Sequence, residues 1–158
     1  MAAKTVIRPA AEADIPAILA LYRQLDSALV AMQPEFFCEG PREEDEIRKA
    51  IRADDADFLL AECGGAVVGF ALVGYAAGRR SSAVFCPTAM RGWKIWPWTR
   101  PCAGRASARE LLAAAKRWAR NRRLEYLELN VLAQNENAIR LYESQDFVEA
   151  TKVMRCML

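Results

Sequence analysis

LEYLELNVLAQNENAIRLYESQDF, residues 124–147, reads as a short strand, a polar turn and an amphipathic helix. Leu124, Leu127, Leu129 and Val131 supply a largely buried extended run, with Tyr126, Glu128 and Asn130 on the alternate face. The polar turn Ala133-Gln134-Asn135 then offers Asn135 as an N-cap. Ala138, Leu141 and Tyr142 follow at i, i+3, i+4, along one side of the helix. This spacing places Asn137 near the helix start and a Tyr hydroxyl one turn further on, beside a strand end. Such a corner suits a bound cofactor tail.

The rest of the chain narrows what this corner can belong to. With 158 residues, 53% of them hydrophobic, it is expected to form one domain spanning residues 1–158 with a proper core. Twenty-two basic and 20 acidic residues nearly cancel, so bulk charge argues for neither nucleic acid nor membrane as a partner. The N-terminus MAAKTVIRPAAEADI has no apolar signal-peptide core, and no apolar run is read as long enough to span a membrane. Cys38, Cys63, Cys86, Cys102 and Cys156 are odd in number and lack CxxC spacing, which suits reduced thiols in a cytoplasmic protein. There is no histidine. That removes the commonest general base, the usual Ser and Cys triads and most zinc sites, and no metal is expected.

In chain order, residues 4–8 predict a first strand ended by Pro9. Asp14 predicts a cap for a helix running to about Leu25 on an apolar face of Ile15, Ile18, Leu19, Leu21 and Tyr22. Residues 26–37 fit either a helix continuation or a loop broken by Pro34. Pro41 predicts the start of a second helix, with acids in its first turn and Arg48, Lys49 and Arg52 later. Phe58-Leu59-Leu60-Ala61, the turn Gly64-Gly65 and residues 66–75 predict a β-hairpin. From Ala106 a helix is expected with Leu111, Leu112, Ala115 and Trp118 on one face, and residues 148–158 predict a closing strand. The sum is an α/β fold with a mixed sheet.

Residues 79–105 break this pattern. No Asp or Glu occurs between Glu62 and Glu110, Trp93, Trp96 and Trp98 crowd together, and Pro97 and Pro101 sit where a central strand would pass. The genetic code gives this stretch a second reading. Codons joining the last base of one residue to the first two of the next must encode Glu at Trp93/Lys94, Ala at Trp96/Pro97 and Asp at Trp98/Thr99. The other junctions from Met90 to Ala108 permit the string AWVEDLAVDPAxRGxGIG, which runs directly into in-frame Arg109. It alternates like a strand, restores acids and ends in a glycine-rich turn. A local frame shift around residues 82–108 is therefore expected.

With that string in view, the chain resembles the GNAT family of N-acetyltransferases over essentially its whole length. NENAIRLYESQDF (residues 135–147) is close to the family's N-x-x-A-x-x-x-Y-x-x-x-G-F segment, and VIRPAAEADIPAILAL (6–21) and FLLAECGGAVVGFALVGY (58–75) look like its opening elements. The resemblance implies a mixed, mainly antiparallel central sheet with about four helices, and acetyl-CoA as co-substrate. The family's acetyl-CoA signature, R/Q-x-x-G-x-G/A, is disrupted in frame, where Arg100-Pro-Cys-Ala-Gly-Arg-Ala-Ser-Ala-Arg109 stands. Asp146 replaces the family's Gly at a helix end that favours left-handed geometry.

The resemblance implies acetyl transfer to a primary amine by direct attack, with Tyr142 as general acid near the thioester sulfur and Asn137 on the cofactor. Backbone N–H groups of Arg105, Ala106, Ser107, Ala108 and Arg109, at the turn into the third helix, would meet the CoA pyrophosphate. Glu128 is the in-frame candidate for general base; a solvated carboxylate is its alternative, and a water chain could serve instead. The acceptor would be a small-molecule or peptide amine. Met32, Phe36 and Phe37 with Glu35, Glu39 and the acids at 43–46 favour a small basic one, and a homodimer is possible. Two other readings stand beside this one. A chain of this fold that no longer binds CoA would be a partner-binding subunit. Arg91, Lys94, Arg100 and Arg105, interleaved with the tryptophans, would make a nucleic-acid platform, a reading that ranks below a misread segment.

Overall fold

The structure is a computed structural model that describes residues 4–75, 82–86 and 105–158. The basic, Trp-rich stretch, most of the proposed frame shift and Cys102 lie outside them. Five strands form one sheet in the order β1 (Thr5–Pro9), β2 (Ala56–Cys63), β3 (Ala66–Gly74), β4 (Ser82–Cys86) and β5 (Tyr126–Glu128). The first three junctions are antiparallel and the last, β4 with β5, is parallel. Four α-helices complete it: α1 (Ile15–Met32), α2 (Glu44–Arg52), α3 (Arg105–Asn121) and α4 (Glu136–Glu143). The mixed, mainly antiparallel sheet and the helix number agree with the sequence reading.

Strand alternation makes the sheet a two-sided partition. Leu59, Ala61 and Cys63 of β2 face α3, packing with Leu111, Leu112, Ala115 and Trp118. Phe58 and Leu60 face the opposite way, onto Ile18, Tyr22 and Leu25 of α1 and Ile47 of α2. A bulge keeps this partition through the hairpin: Ala61 pairs with Gly69 and Glu62 with Val67, so Val68 is the extra residue. The hairpin itself closes through Gly64 at φ +59° and Gly65 at φ +79°, the two left-handed positions such a turn requires.

α1 runs past Leu25 to Met32 because Leu29 continues its buried stripe of Ile15, Ile18, Leu21, Tyr22 and Leu25. It stops where Gln33 leaves helical geometry (φ −143°, ψ 72°) ahead of Pro34. Together with the 3₁₀ turn before it, residues Glu12–Met32 form a helical segment long and apolar enough to cross a membrane by length and composition. That corrects the expectation that no run reaches such a length; here its apolar face is covered by the sheet. α2 begins at Glu44 rather than at Pro41, because Glu43 is still extended (φ −78°, ψ 125°). β4 was not anticipated in frame, although Ser-Ala-Val-Phe-Cys is a short β-prone run.

Two further expectations are corrected in the C-terminal third. β5 is only three residues long, since it is an edge strand with three ladder pairs to β4. Residues 148–158 form no strand. Their alternate positions mix Val148, Met154 and Leu158 with Lys152 on one side and Val153 and Met157 with Glu149 and Arg155 on the other. Neither face is clean enough to bury, and these side chains are exposed.

Candidate active site

The corner read from residues 124–147 is built by three local devices. Asn135 caps α4, its Oδ1 accepting from the Ala138 N–H at 3.2 Å, as the sequence predicts. At the other end, the Phe147 N–H donates to the Tyr142 carbonyl (3.1 Å) and the Asp146 N–H to the Glu143 carbonyl (3.1 Å). With Asp146 at φ +64° and the Phe147 ring 5.9 Å from that of Tyr142, this is a complete Schellman motif with its apolar contact. The third device is Lys116 of α3, which donates to the Gln145 carbonyl and lies 5.4 Å from the Phe147 ring centroid. Together these seat Tyr142, only 4% exposed, in the α3-side core with Leu127, Leu129 and Leu141.

The sheet opens at the same place. Ladder pairing between the parallel strands runs Ser82–Tyr126, Ala83–Leu127, Val84–Glu128, and stops. β4 continues to Cys86 against β3, while the chain beyond Glu128 leaves for α4. Among the described residues no ladder pair follows Val84–Glu128, and the carboxyl ends of adjacent parallel strands are where α/β sheets bind ligands. The chain crosses the sheet layer there: Val131 still packs on the α3 side, whereas Leu132 is buried among the residues of α1 and α2. The end of α1 meets this turn directly, Gln33 Nε2 donating to Gln134 Oε1 at 2.9 Å.

The sequence-derived site residues divide accordingly. Tyr142 lies on the α3 side of β5; Glu128, exposed and alternate to Leu127, points to the other. Asn137 is exposed on the first turn of α4, its Oδ1 accepting from Arg140 Nη2 at 2.9 Å. Arg105 and Ala106 are the first two residues of α3. Ser107 is wholly buried and its hydroxyl lies 2.8 Å from that of Thr5 on β1, and Ala108 is buried too. The side chains of these two are packed inward, so only their main chain is available to a ligand; Arg109 is exposed. The first N–H groups of a 17-residue helix have no intrahelical acceptor, which leaves them and the helix dipole for an anion.

The sequence reading named Phe37 and the acids at 43–46 for the acceptor but not Asp26, Leu29 or Arg42. Beside α1, a cavity of about 280 Å³ is lined by Asp26, Leu29, Phe37, Cys38, Pro41, Arg42, Glu43 and Glu46 among others. Arg42 is fixed there by Asp26 (Nη2 to Oδ1, 2.8 Å) and by the face of Tyr22 (4.2 Å to the ring centroid). The signal was available as a single buried acid within an otherwise apolar helical stripe. Among the described residues, no group of His, Cys, Asp and Glu is arranged to hold a metal.

Comparison with known proteins agrees with this fold. The family model described as "Acetyltransferase (GNAT) family" matches residues 22–147. No curated protein matches the sequence. Among solved structures, a mutant of the BH1408 protein from Bacillus halodurans is similar with TM-score 0.82 at 15% identity, covering 97% of this chain and 99% of that one. The aminoglycoside acetyltransferase AAC(6')-Iy, in complex with the bisubstrate analogue CoA-S-monomethyl-acetylneamine, is similar with TM-score 0.69 at 18% identity and 98% coverage of both chains. The aminoglycoside acetyltransferase meta-AAC0020, from an uncultured soil metagenomic sample and in complex with sisomicin, gives 0.63 at 14%, covering 98% of this chain and 95% of that one.

Proposed function

This chain belongs to the acetyltransferase (GNAT) family, and from that premise we propose that it moves an acetyl group from acetyl-CoA to a primary amine by direct attack. The observation that carries this is the parting of β4 and β5 after the Val84–Glu128 pair, with buried Tyr142 on one side and the carboxylate of Glu128 on the other. In this reading the pantetheine arm lies in the opening and the diphosphate meets the first turn of α3, from Arg105 to Arg109. Asn137, on the first turn of α4, contacts the cofactor.

The chemistry needs few parts. The amine nitrogen attacks the thioester carbonyl, whose oxygen is held by main-chain N–H donors at the unpaired strand ends. Glu128, or water leading to it, takes the proton lost by the amine. The C–S bond breaks, and the Tyr142 hydroxyl protonates the departing thiolate. Burial of Tyr142 suits that role, since it keeps bulk water from competing for the proton. Direct transfer also agrees with a chain that lacks histidine and any activated nucleophile. The scattered thiols suit a cytoplasmic enzyme, and its acceptor in this reading is a small-molecule or peptide amine.

The test combines binding and turnover on the full chain. Millimolar acetyl-CoA should raise the unfolding midpoint in proportion to ligand excess. Tyr142→Phe should then lower kcat by about 10²-fold while leaving acetyl-CoA binding intact, because one proton-transfer group is lost. Absence of any shift at millimolar acetyl-CoA would leave a partner-binding subunit of this fold as the better reading.

A further inference from the structure

Among the described residues, two buried side-chain polar atoms lack a hydrogen-bond partner, Arg42 Nε and Gln33 Oε1. The first belongs to a guanidinium already held by Asp26 and the Tyr22 ring. Nothing compensates the second in that way. An amide oxygen taken out of water without a donor costs at least as much as one exposed hydrogen bond returns. The one bond the Gln33 side chain makes is of that kind, from Nε2 to Gln134 Oε1 at 2.9 Å. Turning both carboxamides over reverses the donor and leaves Nε2 buried and unpaired instead, so the cost stands in either orientation. Methionine has nearly the same length and shape and would fill the position without that cost.

We infer that Gln33 is a positioning residue for the cofactor end of the reaction, acting through Gln134 on the start of α4; this rests on the acetyl-transfer reading. Stability does not explain a glutamine here, and its contacts say where it acts. Its main chain closes α1, with its N–H on the Leu29 carbonyl at 2.9 Å, and its own carbonyl accepts from the Phe36 and Phe37 N–H groups at 3.1 Å each. Any residue with a free N–H could make those bonds. What this side chain adds is the bond to Gln134, in the turn that joins β5 to α4.

That turn is anchored at both ends. Leu132 is buried among residues of α1 and α2, and its carbonyl accepts from the Asn135 N–H at 2.9 Å. Asn135 then caps α4 through the Ala138 N–H. Between these anchors Ala133 and Gln134 are exposed. Gln33 therefore holds the outer side of a turn whose far end sets where α4 begins. Two residues past the cap lies Asn137, which meets acetyl-CoA in the proposed function. A turn free to shift by a fraction of an ångström loosens that contact without unfolding anything.

Calorimetric titration of the full chain with acetyl-CoA, beside thermal unfolding, tests this, and neither measurement requires an acceptor. Salt at about 0.2 M screens any added charge. Gln33→Met should unfold at or above the parent midpoint, because the unpaired buried atom is gone, yet bind acetyl-CoA about fivefold more weakly. Gln134→Met should weaken binding equally and the double variant no further, since all three lose the same bond. Gln134→Glu still offers an oxygen to Gln33 Nε2 and should bind as the parent does. Gln33→Glu has no donor and should bind as Gln33→Met does. The reverse order of the two Glu variants supports the same link with both carboxamides turned over. A midpoint that falls together with affinity in Gln33→Met marks a residue that only props the fold, and overturns the role. Parent-like affinity in Gln33→Met, or losses that add in the double variant, overturns it too and leaves acetyl transfer standing. A parent chain that binds no acetyl-CoA overturns both.

Discussion

Asp146→Gly should stabilise this protein. Asp146 sits at φ +64°, where an L side chain crowds its own backbone and glycine does not. Relief of that crowding is worth about 1 kcal/mol for a residue such as Asp, which tolerates the region better than most. Two terms oppose it. Glycine is freer in the unfolded chain, which returns about 0.5 kcal/mol. The Asp146 carboxylate also lies 3.5 Å from Lys116 Nζ, but at 96% side-chain exposure that pair contributes almost nothing. Lys116 keeps its bond to the Gln145 carbonyl in any case. The net gain is about 0.5 kcal/mol, which for a chain of this size raises the unfolding midpoint by about 1 to 2 °C. Thermal and urea unfolding of the parent, Asp146→Gly and Asp146→Ala measure it. Alanine loses the carboxylate and keeps the strain, so it should fall at or below the parent. If glycine lowers the midpoint, or alanine matches glycine, the left-handed strain is not what this position carries.

Two other outcomes can be checked. Arg8 donates to both oxygens of Asp14, and that bonding together with the Ala11 N–H holds the Asp14 carboxyl down at about 2. Because the folded value lies below the unfolded one, the stabilisation is full above about pH 4 and is lost as pH falls through about 2. Asp14→Asn should cost about 1 kcal/mol at pH 7, after allowing for solvent screening, and should flatten midpoint against pH between 4 and 2; an unchanged slope refutes the linkage. The proposed frame shift makes a second demand. The coding DNA must use the junction codons that permit AWVEDLAVDPAxRGxGIG, and a chain carrying that string over 90–108 should show a larger midpoint rise with acetyl-CoA than this one. Codons that exclude the string refute it outright.

What was legible in the sequence was whatever local chemistry decides alone. The Asn135 cap, the Gly64-Gly65 turn and the left-handed Asp146 each depend on a few adjacent residues, and each is found as read. The face of α3 was legible for a similar reason, since Leu111, Leu112, Ala115 and Trp118 recur at one helical period. What failed depended on partners distant in sequence. β5 is cut to three residues by the length of its ladder with β4, and residues 148–158 stay out of the sheet although their composition admits a strand. The inward orientation of Ser107 is set by Thr5, a hundred positions away in the chain, and no local pattern announces it. The end of α1 stayed open over residues 26–37 between a helix continuation and a loop, and Arg42 across the cavity is what makes the buried Asp26 tolerable within the helix that forms.

That last case bears on how the site is organised. An acid buried in a helix stripe costs several kcal/mol unless it is paired, and pairing it costs further desolvation of the guanidinium. Two apolar residues filling the same volume would stabilise it at least as well. The arrangement does something an apolar one would not: it fixes the polar, extended approach to α2 against α1, with Glu43 and Glu46 beside the gap. Under the proposed function, Glu128 and Tyr142, on opposite sides of β5, would have the two reactants meet through the sheet rather than on one face of it. Under that same function, acceptor recognition on the α1–α2 side and cofactor recognition at α3 and α4 would rest on separate residues. Substitutions at Glu43 should change the amine KM, and those at Asn137 the acetyl-CoA KM, with little coupling between them.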